Sequence, residues 1–244
     1  MRGIVSELVR GALGWAFPSA CLVCDTPERE SPPTNGLCAA CFEAVTTDRH
    51  ARCPRCAQAV GPHTDTSDGC SECRTQSFAF DRAFRLGEYD GRLSDAVLRL
   101  KHLNGEGLAD FLGRTFAQCR GTELRTAGFD LVTAIPLHWW RRWERGYNQS
   151  EAVARELAAG IGVPFARVLR RVRYTPQQVQ PSREARRANV KGAFRVRHGA
   201  SVSGKAVLLV DDVMTTGSTL HETARVLRDG GAVRVSVAVL ARRK

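Results

Sequence analysis

The 244-residue sequence predicts an α/β protein, a largely parallel sheet flanked by helices, with a small cysteine-rich module ahead of it. Three observations predict this. Eight of the nine cysteines fall in the first third of the chain; beyond residue 78 apolar strand patterns alternate with helical ones; and the stretch 206–240 reads strand, helix, strand at the spacing of a βαβ unit, which requires parallel pairing. A hydrophobic fraction of 43%, a charged fraction of 25% and no low-complexity tract describe a chain that folds. The reading divides it into an N-terminal helix (1–19), a cysteine module (20–77) and an α/β domain (78–244).

The first segment, MRGIVSELVRGALGWAF, sets Ile4, Val5, Leu8, Ala12 and Trp15 near one helical face. Glu7 and Arg10 interrupt it, far short of the roughly 18–20 apolar residues of a membrane span. A short packed helix is expected, contact with a membrane surface being the alternative, and the absence of a signal-peptide pattern points to the cytoplasm.

Cys21, Cys24, Cys38 and Cys41 follow C-x2-C-x13-C-x2-C, and Cys53, Cys56, Cys70 and Cys73 repeat it 32 residues later. Two sulfurs two residues apart reach one ion from a tight turn, and two such knuckles complete a tetrahedral four-thiolate shell for structural Zn²⁺. Two zinc ribbons are therefore expected, each closing its own site, although spacing also permits the knuckles to interleave. A disulfide framework is disfavoured where thiols stay reduced. Closed sites leave no open position for catalysis. Arg52, Arg55 and Arg74 lie beside the knuckles and offset thiolate charge; Cys119, in LADFLGRTFAQC, reads as a buried small hydrophobe.

In the α/β part, AFRLGEYDG reads as a strand and turn, and LSDAVLRLKHL and GLADFLGRTFAQC as helices. FDLVTAIPL is a strand ending at Pro136, and NQSEAVARELAAGIG is a helix begun at Asn148/Ser150 and ended by glycine. Residues 165–197, basic, Gln-rich and broken by prolines, form a long excursion with short strand-like pieces. A strand at 206–210, a helix at 218–229 and a strand at 233–240 complete the pattern.

Within that unit, VLLVDDVMTTGSTL carries the chemistry. Its wholly apolar strand is covered on both faces, so Asp211 and Asp212 stand at the carboxyl end, where ligands of parallel sheets bind. TTGST leads into a helix, so its N–H groups and hydroxyls converge on an anion, with Gly217 allowing close approach. Two adjacent carboxylates suit sugar hydroxyls or a hydrated Mg²⁺ instead. A sugar phosphate with free vicinal hydroxyls satisfies both halves.

This stretch resembles the phosphoribosyl pyrophosphate (PRPP) signature of type I phosphoribosyltransferases. The order of cysteine knuckles, RLKHLNGEGLA, IPLHWWRRWERGYNQS, TPQQVQPSREARRANVKGAF and the PRPP loop identifies the chain as a member of the ComF/GntX-like family, from the cysteines to the C-terminus. The resemblance implies a Rossmann-like sheet with a flexible hood, PRPP and Mg²⁺ as ligands, and a link to uptake or use of external DNA. It implies that Asp211 and Asp212 contact ribose hydroxyls, and that Thr215, Thr216, Gly217, Ser218 and Thr219 cradle the 5′-phosphate. Pro136, Leu137 and His138 match the pyrophosphate loop, with Asn148 and Gln149 nearby; Lys101 and Arg145 supply charge to it. Gln178, Arg186 and Asn189 are the candidates for closing the hood. Purine-salvage members carry an acid where this chain has Thr215, which disfavours 6-oxopurine salvage.

The net charge of +11 is concentrated: residues 139–197 hold 14 Lys/Arg against 4 Asp/Glu. That suits a polyanionic partner, a phosphorylated small molecule or a nucleic acid. Trp139, Trp140 and Trp143 interleave with arginines and suit either stacking on single-stranded DNA or packing on the hood. His102, His138 and His221 are available near the site and read more readily as surface or packing residues. The resulting expectation is a PRPP-dependent phosphoribosyl transfer, the alternative being a non-catalytic PRPP sensor that docks single-stranded DNA or proteins of the uptake machinery.

Overall fold

The computed structural model describes residues 20–27, 36–102, 105–174 and 182–243. The expected N-terminal helix and Gln178 lie outside them.

The repeat seen in the cysteines is a repeat of backbone. Cys21 N–H donates to Thr26 at 3.1 Å and Asp25 N–H to Cys21 at 2.9 Å; 32 residues on, Cys53 donates to Gln58 and Ala57 to Cys53, both at 2.9 Å. Asp25 and Ala57 both take a positive φ, 57° and 56°, the left-handed residue that turns each knuckle. Short bridges Ala20–Pro27 and Arg52–Ala59 close both turns, and a helix follows in each copy, α1 (Ala39–Thr46) and α2 (Ser71–Thr75).

The sheet has the order β1-β6-β5-β2 and is parallel throughout: β1 (Arg82–Glu88), β2 (Leu131–Ala134), β5 (Ala206–Met214) and β6 (Arg234–Arg242). Alternate residues of the central strands enter opposite cores, as the two-residue period of a strand dictates. Leu208, Val210, Ala238 and Leu240 meet α3 (Gly91–Arg99), α4 (Glu106–Ala127) and α6 (Gln149–Ile161). Val207, Leu209, Val235, Val237 and Val239 face the other way, against α8 (Ser218–Asp229). Helices α4 and α6 pack closely because Gly113 has no side chain; a Cβ there would stand 2.6 Å from the Val153 carbonyl.

The described parts of the excursion, 165–174 and 182–197, are folded. They contain the antiparallel pair β3 (Leu169–Arg171) and β4 (Phe194–Val196), with α7 (Arg183–Val190) between them. A short helix α5 (Trp139–Arg145) precedes α6. The strands at 206 and 233 run longer than the sequence pattern suggests, to Met214 and Arg242, because β5 and β6 continue to pair with each other after β2 has ended.

The two ribbons sit over opposite faces of the sheet. Cys21 and Cys41 join the core containing α3, α4 and α6, where Phe42 meets Phe111 edge-on at 6.2 Å. The cysteines of the second ribbon join the core containing α8. Arg85, fully buried on β1, fastens the second ribbon: its guanidinium reaches Asp48 at 2.7 and 3.2 Å and the Ala57 carbonyl at 2.9 Å. Such a buried charge is tolerable only when its donors are satisfied in this way. Cys119, expected inside, is exposed. The sides of α4 that carry Gly113 and Phe116 take the packing, and position 119 falls on solvent. No helix among the described residues is long and apolar enough to cross a membrane.

Candidate functional site

The site arises from unequal strand lengths. The last rung between β2 and β5 is Ala134 against Val210, followed by one bond from Ile135 N–H to the Val210 carbonyl at 2.9 Å. Beyond it, residues 211–214 of β5 keep only β6 beside them, and a cleft of about 400 Å³ opens on the vacated side. Asp211 and Asp212 form its floor and residues 215–219 one end.

Three consecutive residues at the start of α6 organise that floor. Asn148 donates from Nδ2 to the Ile135 carbonyl at 3.1 Å, Gln149 from Nε2 to Asp212 Oδ2 at 3.1 Å, and Ser150 from Oγ to Asp211 Oδ1 at 2.9 Å. Asp211 also accepts from the Asp212 N–H at 3.0 Å. Enclosure in the cleft floor and the adjacent Asp212 charge nevertheless push the Asp211 carboxyl up to about 7. Gln149 Oε1 is buried without a hydrogen-bond partner among the described residues. The two carboxylates are hard oxygen donors of the kind Mg²⁺ prefers.

The 215–219 loop is shaped from several directions. Gly217 has φ +73° and is the cap of α8; a Cβ on it would lie 2.8 Å from Met214 Cε and 2.9 Å from Phe78 Cε1. The close approach observed at Gly217 is by protein side chains, where the sequence reading expected it of an anion. Thr216 and Ser218 hydroxyls share a 2.9 Å hydrogen bond. The Thr215 hydroxyl accepts from Arg186 Nη1 at 2.8 Å, so α7 reaches across to the loop.

Of the residues expected from sequence, Lys101, Leu137, Arg145, Gln149, Arg186 and Asn189 line the cleft together with Asp211, Asp212 and the loop. Pro136 and Asn148 face a second, smaller cavity that adjoins the first at Leu137 and Arg171. His138 caps α5, its Nδ1 accepting from Trp140 N–H at 3.4 Å, and packs edge-on against Tyr174 at 5.1 Å. His221 accepts from Ala79 N–H at 3.1 Å, a structural role. Trp139, Trp140 and Trp143 are exposed. Sequence reasoning assigned no cleft role to Arg141, Arg171 or Arg243, which also line it. Burial and the nearby Arg141 draw Arg171 down to about 10, still a cation at neutral pH. Six cations thus surround two carboxylates, an arrangement for a ligand of several negative charges.

The metal centres are two sequential sets, Cys21/Cys24/Cys38/Cys41 and Cys53/Cys56/Cys70/Cys73, each with all sulfurs within 4.8 Å of one another. Individual separations are 3.7 Å for Cys24–Cys38, 3.7 Å for Cys53–Cys73, 3.5 Å for Cys56–Cys70 and 3.9 Å for Cys70–Cys73. Sulfurs about 2.3 Å from a tetrahedral Zn²⁺ stand about 3.8 Å apart, so the cages fit zinc. Disulfide sulfurs would be about 2.05 Å apart. Interleaved pairing is excluded by these positions.

Comparison with known proteins agrees with both halves. The double zinc ribbon domain family matches residues 12–77 and the phosphoribosyl transferase domain family residues 147–244. DNA utilization protein YhgH of Salmonella typhi is 33% identical over 229 residues, 92% of this chain and 97% of that protein. Competence protein F of Haemophilus influenzae is 32% identical over 213 residues, 85% of this chain and 91% of the relative. Competence protein ComFC of Bacillus subtilis is 25% identical over 235 residues, 91% and 94% of the two chains.

Proposed function

Because the chain belongs to the ComF family of competence and DNA utilization proteins, we propose that its cleft binds PRPP with Mg²⁺ and transfers the phosphoribosyl group to an acceptor. The observation that carries this reading is the pair Asp211 and Asp212, held by Ser150 and Gln149 between a hydroxyl-rich loop and a ring of cations.

In this reading the carboxylates accept from the ribose hydroxyls, which fixes the sugar ring over the cleft floor. Thr215, Thr216, Gly217, Ser218 and Thr219 hold the 5′-phosphate at the positive end of α8. Asp211 and Asp212 are the groups that would hold the metal, whose charge would offset that of pyrophosphate. Lys101, Arg141 and Arg145 face the leaving group. The C1–O bond breaks with its electron pair passing to pyrophosphate; the acceptor's lone pair forms the new bond to C1 and the acceptor releases a proton. Positive charge grows on the ring and negative charge on pyrophosphate, so pre-aimed cations lower the barrier. Arg186 and Asn189 on α7 close the cleft against water. Thr215 supplies no carboxylate for an acceptor proton. The setting is cytoplasmic, in the use of external DNA.

The test is product identification by mass spectrometry with labelled PRPP and a nucleobase library. Pyrophosphate release should require an acceptor and vanish in Asp211→Asn/Asp212→Asn.

A second reading rests on Trp139, Trp140 and Trp143, exposed on α5 beside Arg141, Arg142 and Arg145. Aromatics and guanidinium groups on one surface stack and neutralise single-stranded DNA. PRPP would then be a regulatory ligand. PRPP binding without turnover of any acceptor selects this reading over the first.

A further inference from the structure

Arg242 ends β6 and is 2% exposed. Across the sheet its partner in register is Met214, the residue just before the phosphate loop. Its guanidinium joins two parts of the protein far apart in sequence. Nε donates to the Cys56 carbonyl at 3.3 Å and Nη2 to Glu72 Oε2 at 2.9 Å. Nη1 donates to the Met214 carbonyl at 3.1 Å and also to the Thr215 and Arg243 carbonyls. Cys56 is a ligand of the second zinc site, and Glu72 sits between its ligands Cys70 and Cys73.

The loop's other end is held by the segment that leaves the same ribbon. Phe78, five residues beyond Cys73 and stacked on Phe80 at 4.7 Å, lies against Gly217. Ala79 N–H binds His221 in the first turn of α8. Both flanks of residues 215–219 are thus referenced to the Cys53/Cys56/Cys70/Cys73 centre. Among the described residues, no hydrogen bond links the first zinc site to the loop.

A four-thiolate centre holds its knuckles together through the metal, and without it the knuckles lose their relative position. The Cys56 carbonyl and Glu72 would then leave Arg242, and a buried guanidinium whose Nε and Nη2 have lost their acceptors, with only Nη1 still bonded to carbonyls, is driven to reorient. Its bonds to the Met214 and Thr215 carbonyls would shift with it.

We propose that Arg242 is a positioning residue through which zinc at the second ribbon sets the geometry of the phosphate loop, so that metal loss there lowers affinity for a phosphate ligand without altering any group that touches it. The effect on PRPP rests on the proposed function; the effect on the loop does not.

The test uses full-length, zinc-loaded protein and the variants Glu72→Gln, Arg242→Lys and Arg242→Met, with Arg99→Gln as a control that breaks the Arg99–Asp25 pair at the first ribbon. Metal content, ligand-free hydrogen exchange of residues 214–220 and PRPP affinity are measured. Glu72→Gln should keep both zinc ions while exchange in 214–220 rises and PRPP affinity falls, each by about tenfold, the scale of one hydrogen bond to a charged group. Arg242→Lys should recover part of the affinity lost in Arg242→Met, and Arg99→Gln should leave the loop unchanged. Stripping zinc from wild-type protein should raise exchange in the same segment. Unchanged loop exchange in Glu72→Gln and after zinc removal overturns the inference. If wild-type protein binds no PRPP while loop exchange responds as expected, the proposed function fails and the coupling stands.

Discussion

The Ser150 hydroxyl donates to Asp211 Oδ1 at 2.9 Å, tying the first turn of α6 to the floor of the cleft. That bond favours the charged carboxylate, whereas enclosure and the Asp212 charge oppose it and leave Asp211 titrating at about 7.

Ser150→Ala removes the hydrogen bond while leaving both carboxylates in place. Asp211 should then titrate higher still, and the curve of Mg²⁺-dependent PRPP affinity against pH should move to higher pH. Affinity at pH 7 should fall about tenfold, on the scale of a hydrogen bond to a charged group, and recover toward about pH 9. Calorimetric titrations spanning the neutral to alkaline range measure this; an unshifted curve contradicts the assignment of Asp211.

The same carboxyl carries a stability signature. Its folded value of about 7 lies above the ordinary value of 3.8, so the folded state binds the extra proton between them. Stability is therefore highest at low pH with respect to this group and declines as pH rises from about 4 to about 7. Asp211→Asn, which has no charge to bury, should stabilise the ligand-free protein at about pH 8.5 by an amount on the order of 1 kcal/mol, with little effect at about pH 4. Thermal melts at the two pH values decide it; equal shifts at both would falsify the linkage. The variant should at the same time lose PRPP binding.

Gly217→Ala should be costly for two independent reasons, its φ of +73° and the 2.8 and 2.9 Å approaches of Met214 and Phe78 to the added Cβ. The conformational part alone is about 1 kcal/mol. Denaturant unfolding should show the loss, and Phe78→Ala in the same chain should relieve the Phe78 share of the crowding while leaving the Met214 approach and the φ cost.

Lys101→Ala and Arg145→Ala should weaken pyrophosphate binding and leave ribose 5-phosphate binding nearly unchanged, because both line the cleft and the proposed function sets them against the leaving group. Competition titrations with the two ligands separate the cases. Equal losses for both ligands place these cations elsewhere.

Joint replacement of Arg141, Arg142 and Arg145 by Ala should flatten the dependence of single-stranded DNA affinity on salt, by about 0.7 in slope for each phosphate that is no longer neutralised. Trp143→Ala should lower affinity without changing that slope, since stacking releases no counterions. A wild-type affinity independent of salt argues against the second reading.

Much of this architecture is legible in the chain. The 32-residue cysteine repeat announces two metal modules, and its echo in hydrogen bonds shows why: each copy is a complete local turn. Helix 218–229 falls where expected because Gly217 and the Gly230/Gly231 stop are local signals. Strand polarity alone places Asp211 and Asp212. Less legible are Ser150, which reads only as part of a helix start, and Arg141, Arg171 and Arg243, whose place in the cleft depends on converging elements. Cys119 reads as buried and is not, because periodicity identifies a helix without saying which neighbour it packs on.

By itself the sequence determined what depends on near neighbours: the zinc knuckles, the βαβ unit, the order of carboxylates and phosphate loop, and the concentration of positive charge. Tertiary structure alone decided what depends on distant segments meeting. The cleft exists because β2 stops four residues short of β5, Ser150 and Gln149 hold the two acids because α6 begins beside them, and Arg242 joins the second zinc site to the start of the 215–219 loop across 170 residues of chain. Local patterns record hydrogen bonds within a turn or a helix, whereas a contact between remote residues is set by the register of strands and the packing of helices around a shared core.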